Sequence, residues 1–155
     1  MDDHLHCMSE LELLIKHISS DLSAIALIDQ DNRIRWRCMF GNLNDRYRNM
    51  VTKPGFGLTG QVFRYGRTVI IDQLHASTEN VRDRLPIMLS EQLQAAIAVP
   101  LLDEHRIFGV LLIGDRNDRA YTEQEVNYVE QSRERIITVI PREHIHIGSY
   151  GILDK

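Results

Sequence analysis

Three stretches of this chain carry residue types that can hold a small anion. Gly55-Phe56-Gly57 turns into an apolar segment running from Leu58 to Arg64, and Pro86 opens a second short segment reaching about Gln92. Both read as helix starts. A helix N-terminus presents unpaired backbone N–H groups and a partial positive charge. Gly55, Gly57 and Gly60 would let the backbone approach a ligand closely. Trp36, the single tryptophan, offers a flat apolar surface and one N–H donor. Its alternation with Ile34 and Cys38 predicts an inward side chain. A core tryptophan and a pocket wall both fit that pattern. The glycines equally suit a plain turn, and Pro86 a plain helix start, so the residues alone leave both readings open.

Other reactive side chains point nowhere so specific. Cys7 and Cys38 have no Cys-x-x-Cys spacing, so free thiols are expected, with a Cys7–Cys38 disulfide as the alternative. His4, His6 and Cys7 would make a metal site with His144 and His146 only if the chain ends met; no metal is expected. His17, His75 and His105 have no partner at ligand spacing. Asp29, Asp31, Asp72, Asp103, Asp115 and Asp118 fall at turns or strand ends, where turn chemistry accounts for them without catalysis. Arg82, Asp83 and Arg84 read as a solvated charge run. Arg33, Arg35 and Arg37 read as a wet strand face or a partner surface.

The elements that would position these groups follow from hydrophobic periodicity. Ser9 to Ile18 predicts an amphipathic helix through Leu11, Leu14, Ile15 and Ile18. Leu22–Asp29 and Arg33–Gly41 predict a hairpin around Asp29-Gln30-Asp31-Asn32. A short helix is expected over Asp45–Met50, another over Leu58–Arg64 ended by Gly66, and a strand over Thr68–Asp72. Ala95–Leu102 and Arg106–Asp115 predict a second hairpin through Asp103-Glu104-His105. Thr122-Glu123-Gln124-Glu125 is a capping box, opening one helix that carries Val126, Val129 and Ile136 and ends at Pro141. Ile145 and Ile147 are candidates for an edge strand. The order implies an α+β fold. A central antiparallel sheet would carry the N- and C-terminal helices on one face, with short helices and loops forming a ligand pocket on the other.

A length of 155 residues, 43% hydrophobic and 26% charged, predicts one domain over 1–155, with a core of about 9–140 and a tail of 141–155. Net charge is −4 from 18 basic and 22 acidic residues, interspersed, which speaks against nucleic acid as a partner. The acidic start and short apolar runs predict neither a signal peptide nor a membrane span, so the expected location is cytoplasmic.

Gly55-Phe56-Gly57-Leu58-Thr59-Gly60-Gln61-Val62 followed by Gly66-Arg67-Thr68-Val69-Ile70-Ile71-Asp72 resembles the pattern of the GAF family. Ala96–Leu101 and Phe108–Ile113 look like its later hairpin. Ile34-Arg35-Trp36, Gly41–Tyr47, Gly57–Gly60 and Leu85-Pro86-Ile87-Met88 resemble, more narrowly, the stand-alone nitrate-receptor GAF proteins (NreA-type). The resemblance implies nitrate held by Trp36, Leu58, Thr59, Leu85, Pro86 and Ile87. Two positions depart from the pattern: Thr59 replaces a small apolar residue, and Leu85 stands where an aromatic is expected. The resemblance further implies a non-enzymatic receptor without a cofactor. Its partners would be nitrate or a similar small anion and a sensor histidine kinase, in nitrate and oxygen regulation. Anion binding would order the segment from Asn42 to Met88 and change a surface seen by the kinase. Homodimerisation through the terminal helices is compatible with this reading. The alternatives are a GAF domain for another small ligand, or an enzyme like free methionine sulfoxide reductase. The enzyme would need a pair of loop thiols, and no cysteine follows Cys38.

Overall fold

The computed structural model describes residues 2–52, 57–72 and 86–147, the side chains of 2–6 and 57–58 excepted. Helix α1 spans Asp2–Ile18, an earlier start than the apolar periodicity shows. Cys7, Leu11, Leu14 and Ile18 are buried along one stripe, the i, i+4, i+7 spacing of a helix facing a core. The helix ends at Ser19 in the left-handed region, with the Ser20 N–H reaching back 3.1 Å to the Ile15 carbonyl.

Strands β1 (Leu22–Ile28) and β2 (Ile34–Phe40) form the expected hairpin. Asp29 builds its turn: Oδ1 accepts the N–H groups of Asp31 (2.9 Å) and Arg33 (3.0 Å). Oδ2 accepts Arg35 Nε at 2.8 Å, so this arginine is spent within the chain. After a 3₁₀ turn at Arg46–Asn49 comes a two-residue strand, β3 (Val51–Thr52), which pairs with β2 and has no periodicity signal. Helix α2 (Gly57–Tyr65) stops at Gly66, whose φ is +69°. Strand β4 is Val69–Ile71 and helix α3 is Pro86–Ser90. Strands β5 (Ala95–Asp103) and β6 (Arg106–Asp115) close the second hairpin through only Glu104 and His105, both at positive φ.

Among the described residues the sheet has six antiparallel strands in the order β3-β2-β1-β6-β5-β4. The C-terminal segment is two helices, not one: α4 (Glu123–Gln131) and α5 (Arg133–Thr138), divided at Ser132. The buried Ser132 hydroxyl turns back onto the Val129 carbonyl at 2.6 Å, a local bond that competes with a continuous helical ladder. The Thr122 capping box is formed as expected. No edge strand forms at Ile145 and Ile147. They follow a 3₁₀ turn, Arg142–His144, and pack against the helix-side core.

The sheet separates two cores. Leu11, Leu14, Val129 and Ile136 from α1, α4 and α5 cover Ile25, Leu27, Ile97, Val99, Leu111 and Ile113. The opposite face carries Ala24, Ala26, Ala96 and Ala98, side chains short enough for α2 and α3 to approach closely, and Val62, Phe63, Ile87 and Met88 fill that space.

Candidate functional site

One irregularity aims the tryptophan. In β2, Cys38 pairs with Ile25 but Trp36 pairs with Ala26, so Arg37 is an extra residue, a β-bulge. Side-chain alternation reverses across it. Ile34 and Trp36 join the alanine-rich face, while Cys38 joins the helix-side core and Met39 the Trp36 side. The expectation that Trp36 points inward holds. The alternation that grouped it with Cys38 does not, because two residues apart no longer means the same face once a bulge intervenes.

Thr59 lies in the first turn of α2 and is buried. Its hydroxyl is 3.1 Å from that of Thr52, on the β3 strand that pairs with Ile34. That contact uses one of the two hydroxyl hydrogens and leaves the other for a further acceptor. Ile87, in the first turn of α3, is buried in the same cluster as Trp36. Pro86 opens α3 as expected and is exposed at the rim. Leu58 contributes a backbone position in the first turn of α2. Leu85 lies outside the described residues, as do Gly55, Phe56, His75 and the 82–84 charge run. Trp36, Thr59 and Ile87 are therefore brought to one face of the sheet, by β2, α2 and α3.

Tyr47 and Met88 also belong to this cluster; both lie in stretches that carry the resemblance, but neither is among the six residues it implies for the ligand. Burial pushes the Tyr47 phenol above its ordinary value, so it stays a neutral hydroxyl. Directly after α3, Glu91 is fully buried. Its Oε1 accepts the Leu43 N–H and Arg116 Nη2, each at 2.7 Å, and Oε2 has no hydrogen-bond partner among the described residues. Arg116 also donates from Nε to the Glu91 carbonyl (2.9 Å) and from Nη2 to Gly41 (3.0 Å), while its N–H meets Asp21 at 2.8 Å. Asn44 clamps the same helix, giving Nδ2 to the Ser90 carbonyl at 2.9 Å. The end of α3 is thus tied to the loop after β2 and to the end of β6.

Two of the turn aspartates do more than shape turns. Buried Asp72 accepts the Tyr121 N–H at 2.8 Å. Buried Asp115 accepts Ser20 Oγ (3.0 Å), Tyr121 Oη (2.7 Å) and Arg119 Nη1 (3.2 Å). Burial, then the neighbouring Asp115 charge, drives the Tyr121 phenol far upward, so it remains a donor. These bonds join β4, β6, α1 and α4.

A groove of about 320 Å³ lies on the other side of the sheet, lined by His17, Ile18, Thr122, Gln124, Glu125 and Tyr128. His17 stacks on Tyr128 there, with centroids 3.6 Å apart. The groove shares no residue with the Trp36 cluster, and it is open to solvent along the α1–α4 seam. Among the described residues no group of three metal-ligating side chains converges, and no helix is long and apolar enough to cross a membrane. Neither Cys7 nor Cys38 is in a disulfide.

The GAF domain family model matches residues 10–132. A solved structure of NreA from Staphylococcus aureus, mutated in its nitrate binding site, is 32% identical, superposes with a TM-score of 0.66, and is matched over 75% of this chain and 87% of that one. Free methionine-R-sulfoxide reductase from Neisseria meningitidis superposes at a TM-score of 0.70 over 88% of this chain and 77% of that one. At 18% identity that is a likeness of fold alone. The HTH-type transcriptional activator RamA of Corynebacterium glutamicum is 26% identical over 113 residues. This stretch is 73% of the present chain, which spans 40% of the activator's length. Family match, sheet order and placement of the helices agree: the chain belongs to the GAF domain family.

Proposed function

We propose that this chain is a receptor for a small planar oxyanion, nitrate first, and that it is not an enzyme. The carrying observation is that Trp36, Thr59 and Ile87 share one face of the sheet. The 32% identity to a protein characterised at its nitrate binding site supports the same reading. Nitrate is weakly basic and modestly hydrated, so backbone N–H groups and an aromatic wall suit it better than a buried lysine. Helix α2 would offer the N–H groups of Leu58 and Thr59 and the Thr59 hydroxyl. Trp36 would be the wall. Leu85, Pro86 and Ile87 would close the site from α3. Occupancy at α3 would pass through Glu91 and Arg116 to Asp21, beside the end of α1, and so to a sensor histidine kinase in the cytoplasm. The alternative as a methionine sulfoxide reductase gains nothing from the geometry, since Cys7 and Cys38 lie across the sheet from Trp36.

Calorimetric titration with nitrate, with chloride as control, tests the reading. We expect saturable one-site binding that is lost in Trp36→Ala and weakened in Trp36→Phe. An absence of heat, together with an unchanged melting temperature in nitrate, overturns it.

A further inference from the structure

Three sulfur atoms converge between α1 and β2. The Cys38 thiol donates to Met8 Sδ at 3.3 Å, and the Cys7 sulfur neighbours it within the same core cluster. The bulge at Arg37 creates this meeting, because it turns Cys38 away from the Trp36 face and onto the helix stripe that carries Cys7. Both thiols are buried, Cys7 at 8% exposure and Cys38 at 3%. No disulfide joins them, yet they sit in one core cluster from two different elements, α1 and β2.

We infer that Cys7 and Cys38 form an oxidation site, closed by hydroperoxide to an intrachain disulfide that fastens α1 to β2. The balance is complete with hydrogen peroxide as oxidant. The Cys7 sulfur, as thiolate, attacks one peroxide oxygen. The O–O bond breaks and the departing hydroxide takes a proton to become water, leaving Cys7 as sulfenic acid. The Cys38 sulfur then attacks the Cys7 sulfur, the S–O bond breaks, and the second hydroxide leaves as water with the Cys38 proton. Two thiols lose two electrons and two protons, and one peroxide becomes two waters.

Cys7 takes the first step because it is the more exposed and stands nearer the start of its helix, where opening is least costly. Cys38, in mid-strand, is the resolving thiol. The neighbouring Cys7 sulfur, then burial, holds its proton well above the ordinary thiol range, so its own thiolate is scarce. Such a pair reacts slowly with bulky oxidants and favours a small one. Once closed, the link ties α1 to the strand that carries Trp36, so helix and strand can no longer part.

The test is a hydrogen peroxide titration of the whole wild-type chain, followed by thiol counting in denaturant and non-reducing peptide mapping. We expect both thiols to disappear together, a Cys7–Cys38 cross-linked peptide, a chain that stays single on a non-reducing gel, and full reversal by dithiothreitol. The oxidised chain should also melt at a higher temperature. In Cys7→Ser, Cys38 should resist the same dose. Two thiols still titrating after treatment, a disulfide between two chains, or Cys7 driven to sulfinic acid beside a free Cys38 would each overturn the inference. The wild-type map decides alone if the variant does not fold.

Discussion

Removing the Arg116 guanidinium should reverse the sign of a second substitution. Glu91 is fully buried, and its charge is answered by Arg116 Nη2 at 2.7 Å and the Leu43 N–H at 2.7 Å. Breaking a buried pair by deleting one partner costs about 3–5 kcal/mol, mostly from the stranded charge. The Arg116 side chain is 22% exposed, so part of its field is already screened and the low end, about 3 kcal/mol, applies to Arg116→Met. The freed Gly41 carbonyl can turn to water and adds little. Glu91→Gln alone keeps the shape and an acceptor for Leu43, but turns a charged hydrogen bond into a neutral one, a loss of about 1 kcal/mol. In the Arg116→Met background the same Glu91→Gln removes the stranded charge, and it should restore about 1–2 kcal/mol. Urea unfolding of the four proteins, followed by circular dichroism, reads all three numbers from one cycle. If Glu91→Gln destabilises in both backgrounds, or Arg116→Met costs under about 1 kcal/mol, the pair is not what holds α3 to the sheet end.

Gly109→Ala should cost about 1–3 kcal/mol by chemical denaturation, because the added Cβ would stand 2.6 Å from the Ala26 carbonyl oxygen, a backbone atom that cannot swing aside. Replacing Glu104-His105 by Asn-Gly should raise stability by about 1 kcal/mol, since both residues now hold positive φ in a two-residue turn that favours that pair. Thr122→Ala should lose about 1 kcal/mol through the capping box, whose Glu125 N–H would have no hydroxyl to meet. Burial alone would raise the Asp29 pKa, but the N–H groups of Arg33 and Asp31 and the Arg35 side chain outweigh it and lower the value overall. The stability this gives is present above about pH 4, the unfolded value, and is lost as pH falls through the folded one. Acid titration of Asp29→Asn should therefore show a shallower loss of stability below that pH than the wild-type chain.

Much of the fold was legible because local rules agree with the tertiary result. The Asp29–Asn32 turn, Gly66 after α2, Pro86 at the head of α3 and the Thr122 box each encode an element end within a few residues. Strands β1 and β5 read as continuous apolar runs, buried on both sides, so which face each side chain takes is decided by the packed sheet. What was hidden depends on partners distant in sequence. Strand β3 is two residues that exist only because β2 lies beside them. The division at Ser132 comes from one hydroxyl choosing a carbonyl three residues back. Glu91, Asp72 and Asp115 carry no signal in the sequence that they are buried, and only the packed chain shows them so, with Arg116 half-buried beside Glu91 and bonds reaching across up to 95 positions.

The candidate site shows the same division. Composition and spacing mark Trp36, the glycine turn and Pro86 as unusual, but neither states that they meet. The fold brings Trp36, Thr59 and Ile87 to one face of the sheet through the alanines at Ala24, Ala26, Ala96 and Ala98, which hold α2 and α3 close to it. It also supplies the bulge at Arg37, without which Trp36 and Cys38 would share a face. A single extra residue thus sets the tryptophan on one side of the sheet and the thiols on the other. Deleting Arg37 removes the extra residue and makes Trp36 and Cys38 neighbours in sequence, which strict alternation sends to opposite faces, so both should keep their present faces and partners. If thiol counting and peptide mapping of the peroxide-treated deletion variant showed the Cys7–Cys38 pairing lost, Arg37 would be doing more than offsetting the register.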